Sequence, residues 1–333
     1  MNSFGTLFRI SLWGESHGPQ VGVTIDGVAA GLPLDEAAFE ADLARRRSGA
    51  RGTTPRVESD QPTIVAGLYR GHTTGAPLTL LFENADTRSD DYDGLRTQPR
   101  PSHADRTAAV KFDAWNDPRG GGHFSGRLTL ALVAAGVVAK RMLPGGTSFA
   151  TRLAAVGGQH DPVRFDAVVE AALHDGDSVG GIVECRVAGI PAGWGEPFFD
   201  SVESVVSHLL FAIPAVKGVE FGDGFAAAAL RGSEHNDPIV DAEGATATNH
   251  AGGIAGGIAN GNELVVRAAV KPTASIAREQ RTFDFAAGRI APLRIRGRHD
   301  ACIALRAAVV VEAAVAVALA DLQLRDRCRR DAK

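Results

Sequence analysis

Residues 302–322 read CIALRAAVVVEAAVAVALADL, and within them the stretch 307–320 is apolar except for Glu312. The stretch is too long for an ordinary strand, and its apolar positions run nearly all the way round a helix rather than along one stripe. LTLALVAAGVVAKRML at 128–143 has the same character. A helix with no polar face must be covered on more than one side, so both are read as a buried layer beneath or between sheets. At 14 residues the apolar run falls short of the roughly 20 that a bilayer requires. No membrane span is read from it.

Outward from these helices, alternation predicts strands at LFRISLW (7–13), VGVTIDG (21–27), TIVAGLY (63–69), LTLLFE (78–83), GIVECRVAG (181–189) and ELVVRAAV (263–270). Amphipathic helices are expected at 35–47, opened by Asp35 as a cap with Phe39 and Leu43 one turn apart, and at 163–173 and 201–211. No repeat and no Pro/Ser-rich linker divides the chain. One domain over 1–333 is the expected count, with two tightly joined halves as the alternative.

The chain has 333 residues, 44% apolar and 22% charged, with a formal charge of −4. No sequence-wide positive field exists for nucleic acid or an anionic membrane, so any anion site must be local. Cys185, Cys302 and Cys328 are scattered without metal-ligand spacing, so no metal is expected. The opening MNSFGTLFRI lacks the regions of an export signal, and a reducing cytoplasm is the expected location.

Several polar stretches stand out. GESHG (14–18) ends the first strand, and reads either as a polar turn or as a loop presenting His17 to a bound molecule. ARRRSGARGTTPR (44–56) sets Arg45, Arg46, Arg47, Arg51 and Arg56 at a helix end and in the loop beyond it. They make either a solvated charge cap or, with the interleaved Gly, Ser and Thr, a receptor for phosphate or carboxylate. RPSHAD (100–105) is a turn carrying Arg100, His103 and Asp105. DPRGGGHFSGR (117–127) runs glycines into Ser125 and Arg127 just ahead of a buried helix, where backbone N–H groups can meet an anion. NHAGGIAGGIANG (249–261) lacks the strand and helix of a dinucleotide fingerprint and reads as a flexible loop or close backbone packing. RGRHDACIA (296–304) places Arg298, His299 and Asp300 at the start of the second buried helix, with Asp300 either its N-cap or a functional carboxylate.

Taken in order, these stretches, with GVEFGDGF (218–225), KPTAS (271–275) and GRHDAC followed by VVVEAA, resemble the chorismate synthase family from about residue 5 to residue 325. The resemblance implies an α+β fold in which helices are sandwiched between antiparallel sheets, and a cytoplasmic homotetramer. It further implies the last step of the shikimate route, in which 5-enolpyruvylshikimate 3-phosphate loses phosphate and a ring proton to give chorismate. Reduced FMN is needed although no net redox change occurs. NADPH as the direct reductant is left open, and reduction by an outside system is favoured because no nucleotide fingerprint is seen.

By the same resemblance His17 protonates the reduced flavin, His103 protonates the leaving phosphate, and Asp300 serves the flavin N5. Ser16, Arg46, Arg51, Arg100 and Arg127 hold the substrate's phosphate and carboxylates, with Arg298 shared between substrate and flavin. His123, Phe124, Ser125, Pro214, Ala215, Gly256, Lys271, Pro272, Thr273, Ala274, Ser275 and Arg298 contact FMN. The chain departs from the family's commonest pattern at His123, Phe124, Pro214 and Ala274, and in an arginine loop one residue short at 48–51. Five converging arginines would repel one another in an empty site and call for a polyanionic ligand to order them. Two other readings compete: a flavin-dependent oxidoreductase, which would consume reductant stoichiometrically, and a non-catalytic flavin- or anion-binding protein, which would show no turnover.

Overall fold

The computed structural model describes residues 1–49, 51–87, 94–295 and 299–331. The first strands form an antiparallel sheet of β1 (Ser3–Phe4), β2 (Arg9–Gly14), β3 (Gln20–Asp26), β4 (Thr63–Ala66) and β7 (Leu78–Glu83), in the order β1-β2-β3-β7-β4. Strand alternation dictates which face is covered: Val21, Val23, Ile25, Leu78, Leu80 and Phe82 are all completely buried. The strand expected at 63–69 divides at Gly67, and β5 (Leu68–Tyr69) pairs with β6 (His72–Thr73) as a separate hairpin.

The helix expected at 35–47 starts as a 3-10 turn over Glu36–Phe39, with Asp35 Oδ1 accepting from the Ala38 amide at 2.9 Å, and continues as α1 (Glu40–Arg46). After α2 (Asp105–Lys111) and α3 (Thr129–Met142) comes a second antiparallel sheet. It contains β8 (Ser148–Val156), β9 (Gly181–Ala188), β10 (Val216–Phe221) and β13 (Leu264–Val270), in the order β10-β13-β9-β8. Helices α4 (Phe165–His174) and α5 (Val202–Ala212) lie in its connections, followed by the single turn α6 (Gly232–His235). The glycine-rich 249–261 stretch packs backbone on backbone around the two-residue strands β11 (Ile254–Ala255) and β12 (Ile258–Ala259). A hairpin of β14 (Gln280–Asp284) and β15 (Arg289–Leu293) precedes α7 (Ala304–Asp331).

Helix α3 packs on β3 and β7 of the first sheet, α7 packs on β8 and β9 of the second, and the two helices pack on each other. The fold is therefore α+β, with its central helices sandwiched between antiparallel sheets. Every residue of α3 from Thr129 to Ala139 is buried, as is every residue of α7 from Val309 to Gln323. By composition α7 could cross a bilayer, but 89% of its apolar window is buried inside the fold, which accounts for that composition. The helices cross where Gly136 meets Ala313: a Cβ added at Gly136 would lie 2.4 Å from the Ala313 Cβ and 2.6 Å from its Cα.

Charges inside this layer are paired. Glu312, 3% exposed, accepts from both terminal nitrogens of Arg45 and from Lys140 Nζ. Its burial, which alone would raise the carboxyl pKa, is outweighed by the Arg45 hydrogen bonds and the Lys140 charge, which bring it from 4.5 to about 2. Asp321 Oδ1 accepts from the amides of Thr6, Leu7 and Phe8 at 2.7–2.9 Å and so fastens the start of the first sheet to α7.

Two outcomes follow from this packing. Gly136→Ala is expected to destabilise by about 1–3 kcal/mol in chemical denaturation, although alanine is the better helix former, because the added methyl must push the helices apart. Glu312→Gln is expected to cost about 3 kcal/mol at pH 7, since it leaves Arg45 and Lys140 short of a buried counter-charge. A carboxyl with a depressed pKa stabilises fully above its unfolded value. The difference between wild type and variant should therefore shrink as pH falls from 4.5 towards 2.

Candidate active site

A cavity of about 750 Å³ opens where the N-terminal ends of α3 and α7 meet the C-terminal end of α5. Of the residues expected at the site, Ser16, His17, Arg46, Arg100, His103, His123, Phe124, Ser125, Arg127, Pro214, Ala215, Lys271, Pro272, Thr273, Ala274, Ser275 and Asp300 line it. Arg298 lies outside the described residues. Two others are not brought to the cavity. Arg51 has a 76% exposed side chain and pairs with Glu170 of α4 at 2.5 Å, because the loop beyond α1 carries it outward. Gly256 sits at the exposed turn between β11 and β12.

His17 is placed by the glycines. Gly120, Gly121 and Gly122 all have left-handed φ (59°, 81° and 55°) and curl beneath the 14–18 loop. A Cβ at Gly120 would fall 2.4 Å from the His17 Cδ2 and 2.6 Å from its Nε2, so the ring can lie here only against glycine. The Ser16 amide donates to the Gly122 carbonyl at 3.1 Å, and His123 Nδ1 donates to the Gly14 carbonyl at 2.8 Å. From the other side Arg56 donates to Ser16 Oγ at 3.1 Å and to its carbonyl at 3.2 Å, and is itself held by Glu58 at 2.6 Å. Ser125 caps the following turn, its Oγ accepting from the Arg127 amide at 3.2 Å.

Arg46 and Arg127 reach the cavity from α1 and from the turn before α3, with side chains 3% and 5% exposed. Between them stands Asp60, itself at left-handed φ 50°. Its Oδ1 accepts from Arg127 Nη1, and its Oδ2 lies 3.5 Å from Arg46 Nη1. Arg127 also donates to Asn84 Oδ1 and the Glu83 carbonyl, and Arg46 to Thr129 Oγ1 and the Gly126 carbonyl. Arg46 Nη1 is buried without a hydrogen bond. Burial first, and then the charge of Arg306, hold the Arg46 guanidinium pKa well below 12.5, with Asp60 opposing them.

Asp300 is not a helix cap, since α7 begins only at Ala304. Its Oδ1 accepts from the Thr54 amide at 3.0 Å and from Arg306 Nη1 at 3.2 Å, and its Oδ2 lies 3.4 Å from that same nitrogen. It therefore ties the arginine loop to the start of α7. Arg100 donates through Nε and Nη2 to Asp105, at 2.8 and 2.6 Å, and through Nη1 to Ser275 Oγ at 2.9 Å. Lys271 Nζ donates to the Ser102 carbonyl at 2.5 Å. These bonds join 100–105 to 271–275.

Sequence reasoning passed over Asp60, Arg306 and Glu58 as site residues, although all three line the cavity, as does Arg56 of the arginine loop. A signal existed for Arg306 alone: a single cation in the first turns of a helix otherwise apolar all round must have a buried partner.

With this geometry in place, comparison with known proteins is informative. The chorismate synthase family profile matches residues 8–324. A chorismate synthase of Chitinophaga pinensis is 58% identical over 327 residues, covering 98% of both chains. Those of Opitutus terrae and Archaeoglobus fulgidus are 45% and 44% identical, each comparison covering 97% of both chains. A crystal structure of a chorismate synthase superposes with a TM-score of 0.75 at 25% identity, over 97% of this chain and 93% of that one. The chain belongs to the chorismate synthase family, enzymes of the carbon–oxygen lyase class.

Proposed function

We propose that this cavity removes phosphate and a ring proton from 5-enolpyruvylshikimate 3-phosphate to give chorismate, the closing step of the shikimate route. The observation that carries the reading is the convergence of Arg46, Arg100 and Arg127 with His17, His103 and Asp300 on one cavity whose lining also includes the apolar Leu209, Ile213 and Val216. A trianionic substrate suits the cations and a planar cofactor the apolar lining. FMN fits: Thr273 Oγ1 is buried without a hydrogen-bond partner, and the lining at 123–125, 214–215 and 271–275 would hold it. When bound in its reduced form, FMN would lend electron density to the substrate as phosphate leaves and regain it, so that nothing is oxidised overall.

The chain's own residues divide the remaining work. Arg46, Arg127 and Arg100 bind the phosphate and carboxylates, with Ser16 beside them. His103 donates its Nε2 proton to the departing phosphate. His17 supplies a proton at the cofactor's edge. Asp300 is the base: its Oδ1 accepts from the Thr54 amide at 3.0 Å and from Arg306 Nη1 at 3.2 Å, and its Oδ2, which accepts only the longer 3.4 Å contact from that nitrogen, is the less committed oxygen and the one that takes the proton. The family likeness supports a cytoplasmic homotetramer, and the sequence, which carries no nucleotide fingerprint, favours a flavin kept reduced by an outside system.

An anaerobic assay with photoreduced FMN should show phosphate release and chorismate formation at equal rates, and none with oxidised FMN. Stoichiometric loss of reductant would instead mark an oxidoreductase. His17→Ala and His103→Ala should each lower kcat by about 10²–10⁴ with the melting temperature unchanged. Asp300→Asn keeps an oxygen for the Thr54 amide but removes the charge opposite Arg306, so it should melt below wild type yet still fold and bind FMN while losing most of its turnover. Wild-type rates in that variant would leave Asp300 as a loop anchor.

A further inference from the structure

We propose that Asp105 is the positioning residue of this site: its buried carboxylate fixes His103 as the Nδ1–H tautomer and holds Arg100 beside it. The inference rests on the reading of His103 as the acid that protonates phosphate. Asp105 is the first residue of α2, and its side chain is 8% exposed. Its Oδ2 accepts from the Arg100 amide at 3.0 Å and from Arg100 Nε at 2.8 Å. Its Oδ1 accepts from Arg100 Nη2 at 2.6 Å and lies 2.7 Å from His103 Nδ1.

That last contact decides the tautomer. An ionised carboxylate only accepts hydrogen bonds and a guanidinium only donates, so a close Nδ1–Oδ1 pair requires the proton on Nδ1. The 3.0 Å approach of Arg100 Nη2 to the same Nδ1 is then two donors converging on one oxygen rather than a bond between them. Asp105 is held ionised: burial, which would raise its pKa, is overcome by the hydrogen bonds from Arg100 and His103, which bring it well below 3.8. With Nδ1 committed, Nε2 is the nitrogen that gains and loses the working proton. It lies at the glycine turn, 3.4 Å from where a Gly121 Cβ would stand. One carboxylate thus aims the acid and sets an anion-binding guanidinium next to it, so that proton donation and charge recognition share one support.

Nitrogen-15 NMR of the histidine rings in the full-length protein tests this directly. In the wild type, neutral His103 should be the Nδ1–H tautomer. In Asp105→Asn it should relax towards the mixture of a free imidazole, while kcat falls by about 10²–10⁴, the range for a mis-set tautomer or a lost acid. An Nε2–H tautomer in the wild type overturns the proposal however the variant folds, and so does wild-type turnover in Asp105→Asn. Normal turnover in His103→Ala would overturn the acid assignment by itself, since the tautomer signal does not depend on activity.

Discussion

Two guanidiniums and one carboxylate, those of Arg46, Arg127 and Asp60, share a volume almost closed to water, each with a side chain no more than 5% exposed. Buried like charges are tolerable only with a counter-ion in place, and Asp60 is that ion. Because its three members come from α1, from the segment after the arginine loop and from the turn ahead of α3, the cluster fixes how these segments meet. It also leaves one positive charge over. The expected self-repulsion of an empty arginine site is therefore softened by the chain's own carboxylates: Glu58 on Arg56, Asp105 on Arg100 and Asp300 on Arg306. What remains is a modest, pre-aimed excess of positive charge, which a polyanion can complete.

The sandwich adds to this field. Residues at the starts of both central helices, Thr129 of α3 and Arg306 and Ala307 of α7, line the cavity, so two positive dipole ends lie at it. The C-terminal end of α5 contributes apolar lining through Leu209 and Ile213. The cavity lining thus combines charged groups with apolar side chains from several elements.

How much of this could be read from residues alone depended on where each signal lies. The buried helices were legible because they lack a polar face, which allows only covered positions. Strands β8 and β10 were not, since Ser148–Val156 alternates weakly and half exposes its residues, and Val216–Phe221 carries glycine and two charges. His17 and His103 stood out because turn residues surround them. The arginines show the limit. Arg45 turns to Glu312 and Arg46 to the cavity, because neighbours along a helix point about 100° apart, while Arg47, where the helix ends, pairs with Glu40, and Arg51, in the loop beyond, pairs with Glu170. Density of a residue type along the sequence does not convert to density in space. Asp60 had no local mark, since its role is defined wholly by residues distant in the chain.

The bond between Asp321 and the amides of Thr6, Leu7 and Phe8 joins positions 313–315 apart in the sequence. During synthesis the opening segment must therefore wait for nearly the whole chain to emerge before it can be locked, although α3, which packs on β3 and β7, is made far earlier. Met1, Asn2, Ser3 and Phe4 form part of the cavity wall, so that wall too is set late. Nascent chains lacking α7 would have the histidines and most of the arginines yet no vessel to hold a ligand. Binding competence in this architecture is a property of closure, gained in one late step rather than accumulated as the polypeptide lengthens.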